Sequence, residues 1–227
     1  MSSATATIPS DLNYFITLEK YLDKSLVKGE SWYLVDSEWF KRCRKFLCPD
    51  DAAAVSVFAP KAEAIHPGPI DNTRLFKEDM SDIREDMRDK QEYTLLPEEA
   101  WTMLVTRFGL KEGQQPIKRK VAKHGMFKEV EVYPMELQLA ENSNLEDIRK
   151  KKFSRLDTLE RIQSTMRTEF NIAADSEVKL WHKYFSNTFE QLSKLDHTLQ
   201  DTWISPGTLI VIEEKNLDGT WPRQTGR

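Results

Sequence analysis

The chain predicts an α+β fold in two parts, and three observations carry that reading. In the first half, apolar residues recur at helical spacing between short branched and aromatic runs. The second half turns to strand-like runs around one clear helix. The length of 227 residues allows one large domain or two small ones. Hydrophobic residues at 39% and charged residues at 31% are the balance of a folded chain, not a disordered one.

The elements follow in order. A first helix is expected from Asp11 to Val27, capped by Ser10, with Leu12, Phe15, Ile16, Leu18, Leu22 and Leu26 on its stripe and Lys28-Gly29 as its stop. Trp32 to Val35 reads as a buried strand. Ser37 can cap a second helix from Glu38 to Leu47, with Trp39, Phe40, Cys43 and Phe46 near one face. The stretch 49–66 has no periodicity and reads as a loop. Pro67-Gly68-Pro69-Ile70-Asp71-Asn72 is a rigid turn, since the prolines fix φ and Gly68 permits a sharp bend. Lys77 to Gln91 predicts a charged surface helix with a thin stripe of Met80, Ile83 and Met87. Tyr93 to Leu96 is strand-like, and Pro97 opens a helix to Phe108 with Trp101, Leu104, Val105 and Phe108 inward.

Ile117 to Ala122 and Met126 to Tyr133 predict a hairpin around Lys123-His124-Gly125. Val130, Val132, Met135, Leu137 and Leu139 mark one long strand, with Pro134 at an edge or bulge. Asp157 and Glu160 suggest a capping box for a helix that buries Leu159, Ile162, Met166 and Phe170. Val178 to Trp181 and Thr208 to Ile212 close the pattern as strands. A strand–strand–helix–strand–strand order within some 85 residues is a β-grasp layout, one helix across a small mixed sheet.

Composition narrows the function. No apolar stretch approaches the roughly 18 residues of a membrane span. The opening MSSATATIPS has neither the basic start nor the apolar core of a secretory signal. Cys43 and Cys48 then read as reduced thiols of a cytoplasmic and/or nuclear protein. A net charge of −4 gives no global reason to expect nucleic acid as a partner.

Several strings resemble a known family. Trp32-Tyr33-Leu34-Val35-Asp36 with Trp39-Phe40, the Pro67–Asn72 turn, Leu95-Leu96-Pro97 with Trp101, and Gly113-Gln114 with Pro116-Ile117 resemble the DUSP domain of ubiquitin-specific proteases. Thr198 to Asp201, Ile204, Gly207 and Leu209-Ile210-Val211 resemble the end of the ubiquitin fold. Together with Ser186-Asn187-Thr188-Phe189 and Asp218-Gly219-Thr220-Trp221-Pro222, the chain is similar to the N-terminal DUSP–ubiquitin-like tandem of the subgroup with ubiquitin-specific proteases four, eleven and fifteen. The resemblance implies a three-helix bundle on a small antiparallel sheet, then a β-grasp domain, joined by a β-hairpin; of the four helices read in the first half, Lys77 to Gln91 is then the one expected to be shorter or irregular. The expected boundaries are a tail at 1–10, the DUSP domain at 11–122, a hairpin linker at 123–129, the ubiquitin-like domain at 130–215 and a linker at 216–227.

The resemblance also implies that the parent is a cysteine protease whose peptidase domain lies beyond Arg227. This chain alone is expected to be inactive, since the family's cysteine-box and histidine-box motifs are absent and Cys43 sits on an apolar helix face. No metal or other cofactor is expected, because His66, His124, His182 and His197 lack paired ligand spacing. A conjugatable modifier is excluded by the bulky Trp221-Pro222 where a slender Gly-Gly tail is required. The implied role is a regulatory module that recruits helical-repeat adaptors and acts on the catalytic domain of the same protease. The alternative is a nucleic-acid-associated protein using the basic clusters 118–128 and 149–155, the second of which also reads as a solvated edge strand.

Three places are expected to bind partners. In the turn Pro67, Gly68, Pro69, Ile70, Asp71, Asn72, a rigid loop would expose Ile70, or else Ile70 packs inward. The hairpin tip Lys123, His124, Gly125, Met126, Phe127 projects a Met-Phe pair, unless it packs between domains. Third, if Leu180, Leu209 and Val211 face the core, then Trp181, Ile210 and Ile212 face outward as an apolar patch, or cover the neighbouring domain.

Overall fold

A computed structural model describes residues 11–48 and 65–223. The expected tail at 1–10, Ser10 as a cap, and all but the last two residues of the 49–66 loop lie outside the described residues. The chain divides into two compact units, Met1–Val121 with Lys128–Val130, and Ala122–Phe127 with Glu131–Arg227.

In the first unit, helices α1 (Asp11–Leu22), α2 (Ser37–Leu47) and α3 (Glu98–Phe108) pack on a four-stranded sheet. Its strands are β1 (Ser31–Asp36), β2 (Tyr93–Pro97), β3 (Ile117–His124) and β4 (Phe127–Val130), in the order β2-β1-β3-β4. β1 pairs antiparallel with both β2 and β3. The core joins Leu18, Trp39, Leu96 and Leu104 to Tyr33, which stacks on Trp101 at 4.8 Å between ring centroids. Three helices on an antiparallel sheet agree with the family expectation.

Four details differ from the sequence reading. α1 stops at Leu22 because the Lys24 amide turns back to Tyr21 O and its ammonium is held by Glu30 and Glu99. Its apolar stripe is wider than its buried face, since Leu12 and Ile16 are exposed. The cap of α2 is Asp36, whose carboxylate accepts the Trp39 amide at 2.8 Å, while the Ser37 hydroxyl is engaged by Thr94. Lys77 to Gln91 is not a helix. Met80, Asp86 and Lys90 have positive φ, and short bridges pair Phe76 with Ile83 and Asp89 with Tyr93. Ile83 and Met87 are buried by turns rather than by a helical stripe.

The second unit is a five-stranded mixed sheet crossed by one helix, α4 (Leu159–Phe170). Strands β5 (Met135–Glu141), β6 (Asn144–Phe153), β7 (Val178–Lys183), β8 (Phe189–Gln191) and β9 (Leu209–Glu214) lie in the order β6-β5-β9-β7-β8. β5 and β9 are parallel and the other neighbours antiparallel. This is the β-grasp layout. The expected single strand from Val130 breaks at 131–134, where Glu131 turns in and accepts the Ser154 hydroxyl and the Arg155 amide. Burial outweighs those donors and raises the Glu131 pKa.

Thr158, not Asp157, caps α4 through a 3.3 Å bond from the Arg161 amide, because the Asp157 carboxylate is taken by the Ser154 amide. β6 is an outer strand and carries Arg149 to Lys152. Lys151 pairs with Glu169, and Arg149 reaches the Glu169 carbonyl and lies over Phe170, so cations sit at the carboxyl end of α4 where its dipole favours them.

Candidate functional site

The three expected contact places have different fates. At the Pro67–Asn72 turn, Ile70 is fully buried, which corrects the exposed reading. Its amide donates to Gly109 O and its carbonyl accepts the Lys111 amide, both at 2.9 Å, so the segment is stitched to the end of α3. Asn72 is also fully buried. Its side chain accepts the Asp36 amide and donates to Leu34 O, which ties the turn to β1. Asp71 accepts from Thr73, Lys111 and Gln114. Burial pushes its carboxyl up, but those donors outweigh it, and the pKa lies well below the usual carboxylate range. Only Pro69 in this turn is well exposed, with Pro67 and Gly68 half-buried.

Trp181, Ile210 and Ile212 do not form an outward patch. Ile212 lies opposite Leu180 across the β7–β9 ladder, and Ile210 lies opposite Leu139 across β5–β9. Residues opposite one another share a face, so both isoleucines join Leu139 and Leu180 in the core under α4. Val211 takes the other face with Trp181, and both are buried. In the unbroken Leu-Ile-Val-Ile run, Ile210 and Ile212 take the core face, and not Leu209 and Val211.

The hairpin tip is the exposed candidate. β3 and β4 are joined by Gly125-Met126, with Gly125 at φ +60°. Met126 is 86% exposed and Phe127 is 79% exposed. Beside the tip lies an open depression of about 600 Å³, whose lining includes Lys123, Gly125, Met135, Arg155, Leu199 and Trp203. The 199–206 loop that forms its other wall is held by the Leu199 amide on Asp157 O and the Gln200 amide on Arg155 O. The Lys123 amide meets Gln200 Oε1 at 3.4 Å, a long single bond.

Sequence reasoning missed Trp203. It is 89% exposed and holds φ +57°, a left-handed conformation that costs a non-glycine residue about 1–2 kcal/mol. The available signal was a large aromatic in a turn-rich stretch, Thr202-Trp203-Ile204-Ser205-Pro206-Gly207, outside any periodic element.

Other chemistry has little footing. Cys43 is buried in the first core, and burial pushes its thiol up to about 12, far from a reactive thiolate. Among the described residues, no group of three His, Cys, Asp or Glu side chains converges as a metal site would require. No helix among them is long and apolar enough to cross a membrane. In the basic cluster 149–155, Arg149, Lys150, Lys151 and Arg155 are each paired with a carboxylate, which lowers the field a phosphate backbone would meet.

Two family models match the chain: a DUSP domain over residues 29–123 and a ubiquitin-like domain over residues 136–223. Ubiquitin carboxyl-terminal hydrolase 4 of Bos taurus is 47% identical over 205 residues, covering 88% of this chain and 21% of that protein. Ubiquitin carboxyl-terminal hydrolase 15 of Homo sapiens is 45% identical over 206 residues, covering 89% and 21%. Among solved structures, a ubiquitin-like domain from Arabidopsis thaliana aligns at 13% identity with a TM-score of 0.32, covering 46% of this chain and 96% of that one. The chain spans about a fifth of the length of the curated relatives it matches. It carries a DUSP domain followed by a ubiquitin-like domain, and over most of its length it is similar to the N-terminal regions of ubiquitin carboxyl-terminal hydrolases 4 and 15.

Proposed function

We propose that this chain is a non-catalytic regulatory and interaction module of a deubiquitinating cysteine protease, and that the hairpin tip with its adjoining depression is its docking site. The reading rests on one observation above others. Met126, Phe127 and Trp203 are exposed in one unit, and Trp203 lines a depression together with Lys123 and Gly125, which precede the Met126-Phe127 pair in the chain. Large exposed apolar side chains around a concave surface are the features that anchor a protein partner, with Met adaptable and Trp a strong anchor. A helical-repeat adaptor is the partner class that the family resemblance supplies, and bringing substrates to the protease's catalytic domain is the consequence for ubiquitin turnover. Trp181, Ile210 and Ile212 offer no second contact face, because all three are buried.

The test is direct titration of a purified helical-repeat adaptor with the chain and with the Met126→Ala, Phe127→Ala, Trp203→Ala triple variant. Affinity should fall at least tenfold, since anchors of this kind contribute about 2 kcal/mol or more. Unchanged affinity removes the site. Hydrolysis of a fluorogenic ubiquitin substrate by this chain alone would remove the non-catalytic assignment.

A further inference from the structure

Of the prolines in the sequence, only Pro206 follows a serine or threonine, and Ser205-Pro206 lies in the loop that walls the depression beside the hairpin tip. Both residues are exposed. The Ser205 carbonyl accepts the Thr208 amide at 3.2 Å, closing a turn with proline second and Gly207 third at φ +79°. The Ser205 hydroxyl makes no hydrogen bond with another described residue. Between Thr202 and Gly207, no backbone amide is bonded to one either. The stretch is held by the buried Ile204 side chain and by the Gly207 amide on Glu136 O at 2.8 Å. A segment with so few backbone bonds opens locally without unfolding the sheet behind it.

The charge on this wall is uneven. Two cations, Lys123 and Arg155, line the depression with Ser205. Lys123 makes no ion pair among the described residues, and Arg155 lies 3.6 Å from the Glu131 carboxylate. Asp201, the one acid on the lining, already accepts the Thr198 amide and hydroxyl. A free hydroxyl on a wall with two cations is placed to carry an anionic group that those cations can hold.

We propose that Ser205 is a phosphorylation site for a protein kinase that selects serine followed by proline, and that Lys123 and Arg155 hold the resulting phosphate. Ser205 Oγ attacks the γ-phosphorus of ATP, the bond to the departing ADP oxygen breaks, and the hydroxyl proton passes to the kinase's catalytic carboxylate. The product is a group of charge about −1.5 to −2 close to Trp203 in the chain. Its consequence rests on the docking reading above. The phosphate occupies the cations and sets hydrated charge beside the Trp203 anchor, so a partner seated there is released.

The test incubates the full chain, and a synthetic peptide spanning Asp201–Leu209, with a purified Ser-Pro-selective kinase and ATP. Tandem mass spectrometry should find phosphate on Ser205 in both, and none there in the Pro206→Ala chain. A peptide that is modified while the folded chain is not overturns the proposal, as does failure of both. The phosphorylated chain is then titrated by phosphorus NMR. The second pKa of the phosphate, about 6 in an unperturbed phosphoserine, should lie about half a unit lower in the folded chain than in the same chain in urea, because cations favour the dianion. Lys123→Ala should remove most of that shift, and equal values in the folded and unfolded chain overturn the proposal. Adaptor affinity should fall about fivefold or more on phosphorylation. Unchanged affinity, with the Met126→Ala, Phe127→Ala, Trp203→Ala variant still weakened, overturns the release of the partner alone. Unchanged affinity in both removes the docking site and leaves the mass and phosphorus signals to decide Ser205.

Discussion

The Pro67–Asn72 turn and the Lys123–Phe127 hairpin tip are both short, glycine-containing bends with apolar residues inside them. In the first, the backbone of Ile70 and the side chains of Asp71 and Asn72 are all committed to neighbouring groups, and Ile70 fills the core. In the second, the Lys123 amide reaches Gln200 Oε1 at a long 3.4 Å, and Met126 and Phe127 stand in solvent. Rigidity from proline says that a turn has one shape. It does not say which way the side chain points. That is settled by the donors and acceptors around the turn, which draw one bend inward and leave the other free to meet a partner.

Substitutions sharpen this contrast. Ile70→Ala should be the most damaging, costing the first unit about 4 kcal/mol for a cavity in a closed core. Asn72→Ala should follow at about 3 kcal/mol, since it strands the Asp36 amide and the Leu34 carbonyl. Urea unfolding followed on first-unit amide signals measures both. If either change costs less than about 1 kcal/mol, the inward turn is not held by these groups.

Acid provides a milder break. The Asp71 pKa is lowered on folding, so its network stabilises the protein above the unfolded carboxyl value near 4, and that contribution is lost as pH falls toward the folded value. Asp71→Asn should flatten the acid limb of the first unit's stability and leave neutral-pH dependence unchanged. At the hairpin, Met126→Ala with Phe127→Ala should move stability by no more than about 0.5 kcal/mol, and adaptor affinity by far more. Trp203 gives a backbone test: a glycine there should be about 1 kcal/mol more stable than an alanine, because glycine adopts φ +57° freely. Thermal melts of the two variants give that difference.

Much of the architecture was legible because its periodicities are strong. The stripes of α2, α3 and α4 and the runs in β1, β2, β7 and β9 show where the elements are. What failed depends on competition between neighbours. Ser37 and Asp157 both have capping chemistry, yet each is claimed by another partner, and the adjacent Asp36 and Thr158 cap instead. Met80, Ile83 and Met87 have helical spacing, but the turns between them bury two of the three without a helix. A continuous apolar run such as Leu209 to Ile212 is buried on both sides of the sheet, so alternation alone does not tell inward from outward. The candidate site was half visible: its Met-Phe tip has a hairpin signature, whereas Trp203 becomes meaningful only when the 199–206 loop is folded beside it.

β6 has a wider consequence. Its four successive cations, Arg149 to Lys152, line the rim of the β-grasp sheet, where an unpaired ladder would otherwise invite a strand from another molecule. An incoming chain would have to dehydrate that row of charge to zip on.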